Sequence, residues 1–286
     1  MTGQTFLFQL LNGLSFAALL FFLASGFTLI FGLMRIVNLA HGGFYLVGGY
    51  VGLTVATATG NFWLGLLAAP LAIAAIGLFT ERVLLRRIRG QELPEVLLTV
   101  GIAFVFADMS LEIWGGDPRS VPIPGFLRGG LDIGFMVYPR YRFFVIGCAV
   151  LVGVALFLAH SKTRIGAIVR AGVDDREMVS ALGININKIF TGVFIVGALL
   201  AGVAGLIGGG LLSLVPGADT EILLYSLAVV IIGGLGSLPG AVVGSLIVGL
   251  ADAFGRALLP DLSYFTLFAP MALILVVRPR GLLGRQ

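Results

Sequence analysis

Side chains equipped for chemistry are few in this chain, and where they fall limits what they can do. Its 286 residues include two histidines, His41 and His160, and one cysteine, Cys148. One cysteine cannot close an intrachain disulfide, and this set is too small for a structural zinc site. Cys148 lies inside the apolar run 143–159, where a thiol acts as a small buried hydrophobe. No Gly-x4-Gly-Lys-Ser/Thr loop is present, so the chain supplies no Walker-type phosphate cradle. Both histidines fall at the ends of apolar runs with no serine or cysteine partner, which leaves no nucleophile, base and orienting group to assemble. These residues point away from an enzyme and from any cofactor or metal held by this chain.

The chain does carry a sparse set of polar groups in apolar surroundings. Asp108 and Glu112 are four apart and share a helix face. Asn12, Ser15, Asn38 and His41 offer neutral donors and acceptors. An ionisable group at mid-bilayer costs roughly 2.5–3.5 kcal/mol on insertion scales, so such groups mark translocation paths more often than their number suggests. Each also has a plainer reading: Asn and Ser hydrogen-bond neighbouring helices, and Glu112 can snorkel to the interface.

The elements that position these groups are membrane spans. Apolar residues make up 58% of the chain and charged residues 11%, which excludes an ordinary soluble domain, a disordered tail and a nucleic-acid-binding domain. A hydrocarbon core of about 30 Å takes roughly 20 helical residues to cross. Apolar stretches of suitable length lie at 6–31, 36–58, 62–80, 93–114, 141–160, 188–214, 222–236, 241–257 and 263–277. The expected fold is therefore an all-α polytopic membrane protein of about nine transmembrane helices, read as one domain over 1–286. The first run is too long for a signal-peptide core and has no basic residue before it, so it is expected to remain as a span.

Basic residues collect in three places: Arg82, Arg86, Arg87 and Arg89; Lys162, Arg164, Arg170, Arg176 and Lys188; and Arg278, Arg280 and Arg285. Nine spans put all three on one side, which the positive-inside rule makes cytoplasmic. The N-terminus is then outside and the C-terminus inside. The loop 115–140 falls outside although it carries Arg119, Arg128 and Arg140.

Glycine occupies 42 positions, about twice its usual share. The excess gathers around Gly42, Gly43, Gly48 and Gly49, and around Gly233, Gly234, Gly236 and Gly240 beside Pro239. Unwound backbone survives in a membrane only when buried in protein or lining a wet cavity, and paired interruptions in two halves point to a translocation site. Some spans are therefore expected to be broken or re-entrant. Single spacings such as Gly205/Gly209 have the simpler use of packing helices.

Residues 161–187 differ from the rest, being dense in charge on the basic side. Ile165, Ile168 and Val169 suggest a short amphipathic helix, and Asp174 is placed to cap a second helix over 175–182 that ends at Gly183. Two short helices along the membrane face form a docking surface for a soluble partner.

Here the sequence resembles the permease subunits of branched-chain amino-acid-type ABC importers, the LivH-like family. The resemblance rests on Asn38-Leu-Ala-His-Gly, on Trp114-Gly-Gly-Asp-Pro-Arg-Ser, on Arg170-Ala with Asp174 and Gly183-Ile-Asn, and on Gly233-Gly-Leu-Gly-Ser-Leu-Pro-Gly, in order across nearly the whole chain. It implies a subunit of a bacterial inner-membrane importer with several partners. These are a second related permease, two ATP-binding cassette subunits that use ATP and Mg, and a periplasmic substrate-binding protein. The coupling residues it suggests are Arg164, Arg170, Asp174, Asp175, Ala181 and Gly183; Ser180-Ala-Leu-Gly is a partial match to the loop with which such permeases enter the ATPase. The path would run past Asn12, Ser15, Asn38, His41, Gly42, Gly43, Asp108, Gly233, Gly234 and Gly236. An alternative is an ion-coupled secondary transporter using Asp108, and relatives that move urea, short amides or aromatic acids leave the substrate open.

Overall fold

The first helix, α1 (Gly3–Met34), explains the arrangement of the others. It is apolar on every side rather than along one stripe, as expected of a helix enclosed by protein. In the computed structural model, which describes residues 3–134 and 136–284, residues 17–28 of α1 are all buried. The chain continues through α2 (His41–Thr59) and α3 (Phe62–Phe79), a π-helical turn (Thr80–Leu85) and the single turn α4 (Arg86–Ile88). Next come α5 (Glu92–Trp114) and a loop holding the hairpin β1 (Gly130–Asp132) and β2 (Val137–Pro139). The long α6 (Arg140–Lys162) leads into two short helices, α7 (Arg164–Asp174) and α8 (Arg176–Ala181). The last part is α9 (Ile186–Leu211), α10 (Ala218–Gly233), α11 (Leu238–Leu258) and α12 (Ser263–Val277).

Helices α6, α9, α10 and α11 pack around α1. α2 and α3 lie against α9, α5 flanks α2, and α12 flanks α10 and α11. Small residues set these contacts: a Cβ on Gly26 would lie 2.7 Å from the Gly197 carbonyl, so α1 and α9 touch backbone to backbone. Two hydrophobic clusters result, a large one through α1, α2, α6 and α9 and a smaller one of Leu20, Ala24 and Phe27 with Tyr225, Val229 and Val248.

Six helical stretches are long and apolar enough to cross a membrane: Gly3–Met34, Phe62–Ile88, Glu92–Trp114, Arg140–Lys162, Ile186–Leu211 and Leu238–Leu258. The other three expected spans are also helical but shorter or less apolar. α10 has 16 residues and α12 has 15, each about 23 Å at 1.5 Å per residue, and α2 is diluted by glycine and tyrosine.

The interruptions are real but not all where expected. After α1 the backbone unwinds over 35–40, with Arg35 at φ 56, and α2 starts not at the Met34 end of α1 but beside its middle, where His41 Nε2 meets the Leu23 carbonyl at 3.0 Å. The expected span 36–58 therefore becomes an extended segment followed by a helix. At the second glycine cluster the helix breaks over 234–237, with Gly234 and Gly236 at φ 104 and 79, and a further interruption lies at 212–217, between α9 and α10, where Ser213 and Gly217 have φ of 69 and 94. The glycines of the cluster form a tight turn joining α10 to α11, whose first turn is capped by Ser237 accepting from Gly240 N at 3.1 Å. The C-terminal tail closes this end, Leu282 N and Leu283 N donating to the last carbonyls of α10. Arg285, counted in the tail's basic cluster, lies outside the described residues.

Candidate translocation cavity and coupling segment

The two interrupted helices meet at their starts. Gly42, in the first turn of α2, faces Asp219 in the first turn of α10, and a Cβ there would fall onto the Asp219 carbonyl. α2 packs in parallel with α9, while α10 runs back antiparallel to α11. Next to this meeting point lies a cavity of about 720 Å³, lined by Gln9, Asn12 and Phe16 of α1, Tyr45 of α2, Arg142 of α6, the 211–217 connection, and the facing sides of α10 and α11. It sits toward the Gly3 end of α1; beyond Phe16, the enclosed stretch of α1 separates it from the Met34 end.

The cavity holds charges of both signs. Arg142 Nη1 donates to Asn12 Oδ1 at 2.6 Å and to Ser15 Oγ at 3.2 Å, and Tyr138 donates to the same Asn12 oxygen at 3.2 Å. Across α10 and α11, Arg256 Nε donates to both oxygens of Asp252, and Tyr225 donates to Asp252 Oδ1 at 2.7 Å while accepting from Arg256 Nη2 at 2.8 Å. Glu221 stands 3.9 Å from Arg256 with a half-exposed side chain. Sequence reasoning passed over this group, although Asp252 and Arg256, four apart in an otherwise apolar helix, were a readable signal.

The expected path residues divide. Asn12 lines the cavity and Ser15 supports its wall. Asn38 and His41 are buried in the interrupted segment and do not line it; Asn38 Oδ1 accepts from Ala40 N at 3.2 Å, and His41 stacks edge-on with Phe27. Gly43 gives room to Phe106. Gly233, Gly234 and Gly236 lie at the α10–α11 turn, against Gly240, the C-terminal tail and Gly32 respectively. Asp108 is exposed on α5 beside Phe104, Val105 and Met109.

At the Met34 end of α1, the charged segment forms its two short helices. Thr163 caps α7 by accepting from Gly166 N at 3.0 Å. Asp174 is the last residue of α7; the cap of α8 is Asp175, extended at φ −149, whose Oδ1 accepts from Met178 N at 2.9 Å. The expected cap is thus displaced by one residue, because α7 runs one residue further. Arg164, Asp174, Asp175, Ala181 and Gly183 are exposed, and Gly183 has the left-handed φ of 80 that ends such a helix. Arg170 is half-buried, its Nη1 without a hydrogen bond among the described residues.

Val169, in the main hydrophobic cluster, and Gly172, against Leu33 and Ile186, tie this segment to the core, and Arg176 adds a polar contact. Arg176 Nη2 donates to the Leu33 carbonyl at 2.8 Å, and Arg176 and Arg89 both lie over the Phe190 ring. Partial burial, with Arg35 and Arg89 nearby, lowers the Arg176 pKa from the usual arginine value. Arg89 also pairs with Glu81, fully buried in the π-helical turn, which accepts from Thr191 Oγ1 at 2.6 Å.

A bundle with several helices long and apolar enough to cross a bilayer is that of a multi-pass membrane protein. The chain belongs to the family described as branched-chain amino acid transport system / permease component, whose model matches residues 9–277. It is 31% identical to the high-affinity branched-chain amino acid transport system permease protein BraD of Pseudomonas aeruginosa, over 98% of this chain and 96% of the relative. To LivH of Escherichia coli, of the same description, it is 30% identical over the same shares. To LivM of Escherichia coli it is 27% identical, over 91% of this chain and 67% of the relative. No solved structure matches the chain.

Proposed function

We propose that this chain is one permease subunit of an ATP-driven importer of branched-chain amino acids in the bacterial inner membrane. Its nine helices span the bilayer, with the N-terminus and the loop 115–140 outside and the C-terminus and segment 161–187 in the cytoplasm. The chain itself is not an enzyme and holds no cofactor. ATP and Mg are used by two ATP-binding cassette subunits docked on α7 and α8, and a periplasmic binding protein delivers the substrate. The similarity to both LivH and LivM supports a second, related permease as partner.

In this reading the cavity faces outward, and Asn12 and Ser15 belong to the entry of the path. Asn38, His41, Gly42 and Gly43 form the closed point where α2 and α10 meet. Movement of α7 and α8, transmitted through Arg176 to the last turn of α1, shifts that point and switches access. The contact from Arg176 to the Leu33 carbonyl is the observation that supports this coupling. Asp108, exposed on α5, stands away from the cavity, so the cavity offers no support for ion coupling through it.

The test is reconstitution of the chain with its partner subunits in proteoliposomes. Leucine uptake should require both ATP and the binding protein. Uptake by this chain alone, abolished by an uncoupler and by Asp108→Asn, would overturn the proposal.

A further inference from the structure

The charges in the cavity are unevenly neutralised. Arg256 is held by both oxygens of Asp252 and by Tyr225, an internally satisfied group. Arg142 has only neutral partners: its Nη1 serves Asn12 and Ser15, and among the described residues no carboxylate lies within 4.0 Å of it. Its Nε and Nη2 make no hydrogen bond among those residues, so part of the guanidinium fork remains for a planar anion. Glu221 is the counterpart on the α10 side. Among the described residues its only ion pair is the 3.9 Å approach to an arginine already taken up by Asp252.

One unneutralised cation and one loosely held anion therefore line the same cavity, together with apolar Phe16, Leu211 and Ile222. The volume of about 720 Å³ is ample for a small solute. We propose that Arg142 and Glu221 are the two poles of a recognition subsite for a zwitterionic α-amino acid. The carboxylate meets Arg142, the ammonium meets Glu221, and the aliphatic side chain rests on Phe16, Leu211 and Ile222. This subsite rests on the reading of the chain as an amino-acid permease and adds selection by the permease itself, beyond what a binding protein does. Urea, an amide without net poles, would leave both charges unanswered.

The experiment uses the assembled importer, purified without the binding protein, with three probes: L-leucine, 4-methylpentanoate, which lacks the ammonium, and isoamylamine, which lacks the carboxylate. Saturation-transfer NMR reads binding directly. Leucine is expected to bind the wild-type assembly about tenfold more tightly than either analogue, as for loss of a charge-assisted hydrogen bond. Glu221→Gln should remove the advantage of leucine over 4-methylpentanoate, and Arg142→Gln its advantage over isoamylamine. Because Arg142 also joins α6 to α1, Arg142→Gln is accompanied by a size-exclusion profile. If that variant is misfolded, the half-exposed Glu221 decides the matter alone. Equal binding of the three probes, or unchanged preferences in Glu221→Gln, overturns the subsite. When ATP and the binding protein are then supplied in proteoliposomes, leucine import by the wild type together with wild-type binding preferences in the variants overturns the subsite only, whereas no import of any amino acid overturns the permease reading with it.

Discussion

Arg176, in the first turn of α8, donates to the carbonyl of Leu33, in the last turn of α1, at 2.8 Å. A helix's final carbonyls have no intrahelical partner, so a guanidinium supplied from another segment both satisfies one and grips the helix end. The residues that follow Leu33 are those that unwind and lead to His41. In the proposed coupling, a movement of α8 would be delivered to the place where α1 gives way to irregular backbone.

Arg176→Ala should therefore leave insertion intact while separating the two activities. In the reconstituted importer, ATPase stimulation by the binding protein is expected to persist in part while leucine uptake falls about tenfold. Arg176→Lys keeps the charge but not the fork and should fall between. Parallel loss of both activities would place Arg176 in folding instead.

The segment of α7 and α8, with Asp174 and Gly183 exposed and Arg170 half-buried, makes a second prediction. Charge reversal at Arg170 or Asp174, or Gly183→Val, should uncouple ATP hydrolysis from uptake without changing the amount of inserted protein. At Gly183 the cause is backbone strain, since a side chain at φ 80 costs about 1–2 kcal/mol even though nothing lies within 4 Å of it. Co-purification with the ATPase subunits measures docking, and normal transport by all three variants would remove the segment's docking role.

Two glycines with opposite surroundings check the packing. A Cβ on Gly205 would fall onto the Tyr45 carbonyl, whereas Gly101, on the outer face of α5, has nothing within 4 Å. Gly205→Ala should lower stability by about 1–3 kcal/mol through overpacking, and Gly101→Ala should not lower it. Thermal unfolding of the two purified variants in detergent compares them directly.

Much of the fold was legible in the sequence. Among the described residues each of the nine apolar stretches contains a helix, six of them long and apolar enough to cross a membrane, because length and hydropathy are what a bilayer demands, and the charged segment 161–187 stands out by contrast. The break after α1 was legible too, since Arg35, Asn38 and His41 crowd an apolar run beside paired glycines. The break at 212–217 was not, because its Leu-Ser-Leu-Val-Pro-Gly reads as an ordinary loop between spans; only contact with α2 shows how it sets the start of α10. Arg142 and Glu221 escaped notice for a related reason. Each sits near the end of its own helix, where a charge is unremarkable, and they share a cavity only once α6 and α10 have folded around α1.

The buried pair in the π-helical turn allows a fourth prediction. Glu81 is fully buried and held by Arg89 and Thr191. Arg89→Ala strands that carboxylate and should cost about 3–5 kcal/mol, while the double variant with Glu81→Gln should recover part of the loss. Thermal unfolding of the three variants supplies the comparison, and additive losses would show that the two side chains do not act as a pair.

The enclosure of α1 bears on how the chain is made. Apart from His41 at the start of α2, the helices that sheathe residues 17–28 are α6, α9, α10 and α11, and the nearest of these in sequence begins more than a hundred residues later. During synthesis, which proceeds from the N-terminus, α1 must wait without them. Lipid tails are as apolar as leucine, so a segment greasy on all sides can reside stably in the bilayer until its neighbours arrive. The uniform hydrophobicity that makes α1 the hub of the finished bundle also lets it stand in the bilayer by itself, as a post about which the later segments can gather.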